Sequence, residues 1–345
     1  MTLLPAIVAK ARHSPRTIVL SEGEDERIVA AGLRAVREGV AKIVLVGAAD
    51  IVRQRIREAG GDPASVAIHD PATSPRAAEL ADALYRLRRD KMADVAEARR
   101  EVRDPLTYAA LLVRQNFADG TVGGAVATTA EMVRASLRVI GRAEGCSLVS
   151  SFMLMILDAA HHPRKGVLLF ADCALVVDPN AEDLAGIASA SAASFATMTG
   201  ETPRVAMLSF STRGSAGHPH IDKVAEATRI LRATAPDLIV DGELQFDAAF
   251  VPAIGERKAK GSPVAGRANV FIFPDLDAAN IGYKIAERIG GATVVGPILQ
   301  GLRQPANDLS RGCSTEDVFN LIAMTVVQAQ AAPATQPAAL AAQAG

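Results

Sequence analysis

The sequence has no tryptophan, and aromatic residues make up only 4% of its 345 positions. A core must therefore be built mainly from Ala, Val, Leu and Ile. Cysteine is scarce as well. Cys146, Cys173 and Cys313 are far apart, odd in number and without metal-ligand spacing, which argues against a disulfide framework or a zinc site. No clean apolar run reaches ~18 residues, so no membrane span is expected. The amino end, MTLLPAIVAKARHSPR, lacks signal-peptide anatomy, and the expected compartment is the reducing cytoplasm. Neither sign of charge is in excess. A formal net charge of −1 argues against nucleic acid or an anionic membrane as partner.

Lysine is also rare, supplying only 8 of the 37 basic residues. Genomic base composition accounts for such a skew. So does a demand for phosphate binding, which Arg meets with a bidentate fork. Position has to decide between them.

What the sequence does have is alternation. Short β-branched or apolar runs predict strands at TIVL (17–20), KIVLVG (42–47), SVAIHD (65–70), GGAVAT (123–128), VLLFADCALVV (167–177), RVAMLSF (204–210), LIVDGEL (238–244), NVFIFPD (269–275) and TVVGPIL (293–299). Helical patterns lie between them. EDERIVAAGLRAVREG starts acidic and stops at Gly39, and DIVRQRIREAGG takes Asp50 as its N-cap. Others cover 75–101, 104–117, 130–141, 181–199, 221–233 and 277–289. The alternation predicts an α/β protein with mostly parallel sheets. A composition shift near 147 divides it. Residues 1–147 plus 297–329 form domain I, and 148–296 form domain II, inserted within it. The Ala/Pro-rich tail, 330–345, is expected to be disordered.

The chemistry concentrates in NDLSRGCSTED, residues 307–317, after which no charged side chain occurs. Ser314 with Asp317 three residues on reads as a capping box. The uncharged helix beyond it, with Val318, Leu321, Ile322, Thr325 and Val326 on one stripe, belongs in a core or an oligomer interface. A cap does not account for Ser310 and Arg311 on the approach, which suit oxyanion and phosphate donors before a helix N-terminus. In FSTRGSAGHPH (210–220), the donors of Ser211, Thr212, Gly214 and Ser215 either surround a phosphate or carboxylate or form an ordinary strand-to-helix loop. The stretch is neither a P-loop nor a GxGxxG fingerprint. Arg27, Arg88 and Arg134 each read singly as solvated or salt-bridged. Arg134 stands apart, because its helix follows a presumed strand end, where open α/β sheets seat ligands. Asp275, Asp277 and Asn280 suit turn and cap roles better than a metal site, and no metal is expected.

Several stretches together resemble the phosphate acetyltransferase (phosphotransacetylase) family. They are DPLTYAALLVRQNFADGTVGGAVATTAEMVRASLRVIG, SFSTRGSA, DGELQFDAA, FPDLDAANIGYK and GPILQGLRQPANDLSRGCSTED, in order within residues 15–328. The resemblance implies two doubly wound α/β domains of the isocitrate/isopropylmalate dehydrogenase type, with the active site in a cleft between them, in a homodimer. It implies reversible acetyl transfer between CoA and phosphate by direct thiolate attack in a ternary complex, with CoA as substrate and no redox cofactor. Carried over motif by motif, Asp317 would take the thiol proton and Ser310 would stabilise the tetrahedral intermediate. Arg311 and Arg134 would bind the phosphoryl group, and Arg88 and Arg27 would contact CoA or phosphate. Cys313 is not taken as an acyl-carrying nucleophile, since CoA brings its own thiol. Three other readings remain. One is a phosphate butyryl- or propionyltransferase. Another is a non-catalytic regulatory or oligomerisation domain like that of bacterial malic enzymes, disfavoured by a start at the chain's own Met without a malic-enzyme portion. The third, an NAD-dependent decarboxylating dehydrogenase, is disfavoured by the missing metal triad and dinucleotide fingerprint.

Overall fold

A computed structural model describes residues 3–331. From its N-terminus the chain runs through α1 (Leu3–His13), β1 (Arg16–Leu20), α2 (Glu26–Arg37), β2 (Ala41–Val46), α3 (Ala49–Glu58), β3 (Ala67–His69), α4 (Ala77–Arg88), α5 (Val95–Glu101), α6 (Pro105–Arg114), β4 (Gly120–Gly123) and α7 (Thr129–Val139). A second unit follows: β5 (Ser150–Leu157), β6 (Gly166–Ala171), α8 (Ala181–Thr199), β7 (Val205–Leu208), α9 (Pro219–Thr234), β8 (Val240–Leu244), α10 (Phe246–Phe250), α11 (Pro252–Lys258), β9 (Val270–Ile272), α12 (Leu276–Arg288) and β10 (Thr293–Gln300). Then come β11 (Ala306–Asp308) and α13 (Thr315–Ala331). Compact unit one is the chain up to Glu144 plus the chain from Leu302, and unit two is Gly145–Gly301. The chain stays in unit two past 297 because Ile298–Gln300 pair with Phe152–Ser150. The tail beyond Ala331 lies outside the described residues.

Unit one has a parallel sheet in the order β11-β4-β1-β2-β3. Its central strand β1 is sealed on both faces, with Ile18, Val19 and Leu20 at 0% exposure, as its unbroken apolar run requires. The chain leaves β1 toward β2 and later returns on the other side through β4. The carboxyl ends of β1 and β4 therefore mark a switch point, where open α/β sheets seat ligands. The uncharged α13 is core: Val318, Ile322, Val326 and Val327 are fully buried, and the helix packs on α1, α2, β1 and β4. That settles the two roles open to it in favour of the core. Asn307 ties it to the sheet by donating to Thr325 Oγ1 at 2.9 Å.

Unit two has the order β10-β5-β6-β9-β7-β8, in which β10, β5 and β6 run antiparallel to their neighbours in that trio. The few aromatics are concentrated here. Phe170, Phe246, Phe250, Phe271 and Phe273 meet edge-on, tilted or stacked at 5.1–6.4 Å, so this core is not purely aliphatic.

Local differences from the sequence reading have local causes. Asp50 lies inside the first turn of α3, whose N-cap is Ala48. Glu24 and Asp70 accept the free Ala48 and Ala49 N–H groups instead. The pattern over 75–101 breaks into α4 and α5, because Asp94 caps a new start by accepting from Glu97 N–H at 2.8 Å. GGAVAT is a loop rather than a strand: β4 ends at Gly123 and Gly124 turns away with φ +97°.

Candidate active site

Three segments meet at the switch point of unit one: 21–25 after β1, 124–128 after β4 and 309–314 after β11. Glu22 organises the second. Its carboxylate accepts the N–H groups of Ala125 at 2.7 Å, Val126 at 3.0 Å and Ala127 at 2.7 Å. Gly124 has to be glycine. Besides its positive φ, an added Cβ would fall 2.2 Å from Asp308 Oδ1.

Arg27 fastens all three segments. It reaches the Asp25 carboxylate from Nε and Nη2, Ala125 O from Nη2, and the Arg311 and Cys313 carbonyls from Nη1, at 2.8–3.0 Å. All its N–H groups are engaged, so in this structure none is left for a ligand. Burial pushes the Asp25 carboxyl up, but its bonds to Arg27 prevail and hold it below its ordinary range.

Ser310 and Arg311 lie exposed on the turn that follows β11, and Ser310 Oγ accepts from Gly312 N–H at 3.3 Å. The Arg311 side chain makes no hydrogen bond or ion pair among the described residues. Asp317 is exposed, and the predicted capping box is present. Its Oδ2 accepts both the N–H and the O–H of Ser314 at 2.8 Å, and Ser314 Oγ accepts from Asp317 N–H at 3.2 Å. Its Oδ1 has no hydrogen bond among the described residues. Cys313 is 7% exposed. Burial raises its thiol pKa, Arg27 opposing and Asp317 and Asp25 adding, so it is a poor nucleophile.

Arg134 stands one turn into α7, whose start is a capping box between Thr128 and Glu131. The Glu131 carboxyl is held below its ordinary range, first by the Thr128 N–H and hydroxyl, then by Arg134 and Arg311. Arg134 also lines a cavity of about 660 Å³ with Glu22, Glu24, Asp25, Gly47, Thr107 and others. Arg88 does not line it. It ends α4, and its buried Nε has no hydrogen-bond partner among the described residues.

The remaining predicted donors are in unit two. Ser211 donates to Glu243 at 2.9 Å, Gly214 N–H donates to the same carboxylate at 2.7 Å, and Ser215 Oγ accepts Thr212 N–H at 3.0 Å. This loop is folded around Glu243, a residue the sequence reading passed over. Asp275 is the N-cap of α12, and Asn280 donates to Cys173 O at 3.0 Å, so both have structural tasks.

Sequence reasoning also missed Asp308, at the end of β11 and 2% exposed. Neither of its oxygens has a hydrogen-bond partner among the described residues. Burial raises its pKa from 3.8 to about 6, with Glu22 adding and Thr129 opposing. The unfolded chain therefore releases this proton at lower pH than the folded one. Stability should fall as pH rises from about 4 to about 6 and stay reduced above that. Asp308→Asn is expected to stabilise the protein at pH 8 by up to about 3 kcal/mol. Denaturant midpoints of both proteins would show a gap that narrows toward acid pH. A variant less stable than wild type at pH 8 would contradict this.

In unit one, hydroxyls, guanidiniums and a helix start therefore lie at the carboxyl ends of the sheet strands, the place where open α/β sheets seat ligands. The chain belongs to the phosphate acetyl/butyryl transferase family: a family model described as "Phosphate acetyl/butaryl transferase" matches residues 2–326. It is 50% identical over 328 residues to a phosphate acetyltransferase from Paracoccus denitrificans, covering 95% of this chain and 99% of that one. A phosphate acetyltransferase from Thermoanaerobacterium thermosaccharolyticum is 45% identical, with 96% and 100% covered. The crystal structure of a phosphotransacetylase from Streptococcus pyogenes superposes with TM-score 0.91 at 41% identity, covering 95% of this chain and 98% of that one. A candidate 4-hydroxythreonine-4-phosphate dehydrogenase from Salmonella typhimurium, at 13% identity and TM-score 0.53 with 91% and 99% covered, shares the fold alone.

Proposed function

We propose that this chain is a phosphate acetyltransferase, converting acetyl phosphate and CoA to acetyl-CoA and phosphate and the reverse. The observation that carries the reading is the exposed Ser310–Arg311 turn beside the start of α13, in a chain of this family. Asp317 Oδ1, which the cap leaves open, takes the proton of the CoA thiol. The thiolate attacks the acetyl carbonyl. The C–O bond to phosphate then breaks, and phosphate leaves with the electron pair. Ser310 and the α13 N-terminus oppose the charge that grows on the carbonyl oxygen. Arg311 and Arg134 hold the phosphoryl group with planar forks. Arg27 acts by fixing the turn rather than by touching substrate. The loop of Ser211, Thr212, Gly214 and Ser215 and the Arg88 guanidinium are further candidate substrate contacts. CoA enters as a substrate, and the mechanism calls on no redox cofactor.

We assign the protein to the cytoplasm, which suits its three free cysteines. No described helix is long and apolar enough to cross a membrane. A homodimer fits the exposed stripe of Ile281 and Ile285 on α12 and Ile289 at its C-cap, 57%, 53% and 83% exposed. A monomeric mass by light scattering would remove that assignment.

The test is thioester formation from CoA with acetyl, propionyl and butyryl phosphate. The acetyl donor should give the highest kcat/KM. A preference for butyryl phosphate would move the chain to the longer-acyl branch, and no thioester from any donor would end the reading.

A further inference from the structure

Unit one has a second cavity, of about 320 Å³, lined by Ala83, Arg86 and Leu87 of α4 and by Leu111, Arg114 and Gln115 at the end of α6. Its volume is about ten times the share of one water in the liquid, so a polyatomic ion has room. It lies at the opposite edge of the sheet from the switch point. Gln115 comes just before β4 and Arg303 just before β11. Both therefore stand at the amino ends of strands whose carboxyl ends carry the Gly124 loop and the Ser310–Arg311 turn.

The walls are cationic without a counter-charge, for no carboxylate lines them among the described residues. Arg86 is exposed and makes no hydrogen bond or ion pair among the described residues. Arg114 spends one N–H on Ile140 O at 2.7 Å, and its other N–H groups have no acceptor among the described residues. Burial and the Arg303 charge hold the Arg114 pKa below its ordinary range. Elsewhere in unit one guanidiniums take carboxylate partners, Arg12 and Arg34 on Glu38, Arg76 on Glu79 and Arg138 on Glu101. The helix dipole favours Arg86 and Arg114 in the last turns of α4 and α6. It does not account for Arg303, which belongs to no helix, or for walls without an anion. The backbone beneath is fixed as well. Arg303 N–H donates to Gly141 O at 2.9 Å, and Gln304 Nε2 donates to Val113 O at 2.8 Å and Asn116 Oδ1 at 3.0 Å. The segments that carry Arg114 and Arg303 are thus stitched together before any ligand arrives, which lowers the cost of binding one.

We propose that this cavity binds a phosphoryl dianion, as an anion site separate from the one at the switch point. Arg86 and Arg114 offer it planar forks. The Gln115 amide offers N–H donors, and Arg303 adds positive field. Leu87, 39% exposed, and Leu111 leave an apolar wall for the organic part of a phosphate monoester. The bound dianion relieves the repulsion among the guanidiniums and stabilises the fold without entering the transfer steps. The proposal does not depend on the acetyl-transfer reading, which the thioester assay tests separately.

Thermal unfolding midpoints of the full chain in inorganic phosphate, against chloride at equal ionic strength, test it. The variant is Arg86→Ser with Arg303→Ser. Both side chains are exposed and make no hydrogen bond or ion pair among the described residues, so it should fold and keep the wild-type kcat. A control, Arg99→Ser with Arg100→Ser, removes the same charge from α5. Phosphate bound at the switch point stabilises all three proteins alike. At about ten times its Kd, phosphate should lift the midpoints of wild type and the α5 control about 2 °C further than that of the Arg86/Arg303 variant. Equal rises in all three would overturn the proposal. A rise diminished equally in both variants would also overturn it, leaving only an effect of net charge. Glycerol phosphate is the second probe. The same pattern of rises at lower concentration than inorganic phosphate assigns the site to a monoester, and the pattern with inorganic phosphate alone assigns it to the free ion.

Discussion

Arg311→Ala is expected to lower kcat for thioester formation by about 10²–10³-fold without moving the unfolding midpoint. The two halves of this expectation have separate origins. The side chain is exposed and makes no hydrogen bond or ion pair among the described residues, so the fold loses nothing when it is truncated. Arg27 holds the Arg311 carbonyl rather than its guanidinium, so the backbone of the turn is kept in the variant. What disappears, on the proposed mechanism, is a fork aimed at charge that grows on the departing phosphate. Arg311→Lys should recover only part of the rate, since a point charge does not reproduce two parallel N–H bonds. Near-wild-type turnover in the alanine variant would remove Arg311 from the mechanism.

Asp317→Asn is expected to lose about 10²–10⁴-fold in kcat while the helix start survives. In the cap, Oδ2 accepts from Ser314 N–H and O–H, and the amide oxygen of Asn can accept both. The substitution therefore keeps the capping geometry and removes the carboxylate proposed as the base. Ser314→Ala does the reverse. It deletes the cap hydroxyl, costing about 1 kcal/mol of stability, and leaves the carboxylate to do its chemistry. If Ser314→Ala lost the rate and Asp317→Asn kept it, Asp317 would be a cap and nothing more.

Much of this was legible in the chain. Continuous apolar runs gave away strands sealed on both faces. The acidic start of EDERIVAAGLRAVREG with Gly39 gave the ends of α2, and Ser314 with Asp317 gave the start of α13. What was not legible depends on partners distant in sequence. Asp50 looks like a cap, but Glu24 and Asp70 satisfy those N–H groups across space. Arg27 reads as one more helix arginine until its donors are seen on Ala125, Arg311 and Cys313. Glu22 looks like part of an acidic helix start, although its work lies about a hundred residues on, at 125–127. Asp308 was hidden for a different reason. A three-residue strand has no periodicity from which burial can be read, and only the fold shows that its carboxyl is buried.

The central claim is direct transfer between two bound substrates, with no acyl-enzyme on Cys313. It is tested most directly by initial rates of thioester formation with acetyl phosphate and CoA both varied. The account predicts intersecting double-reciprocal lines, unchanged in pattern by Cys313→Ala. Parallel lines, abolished together with activity in that variant, would contradict it.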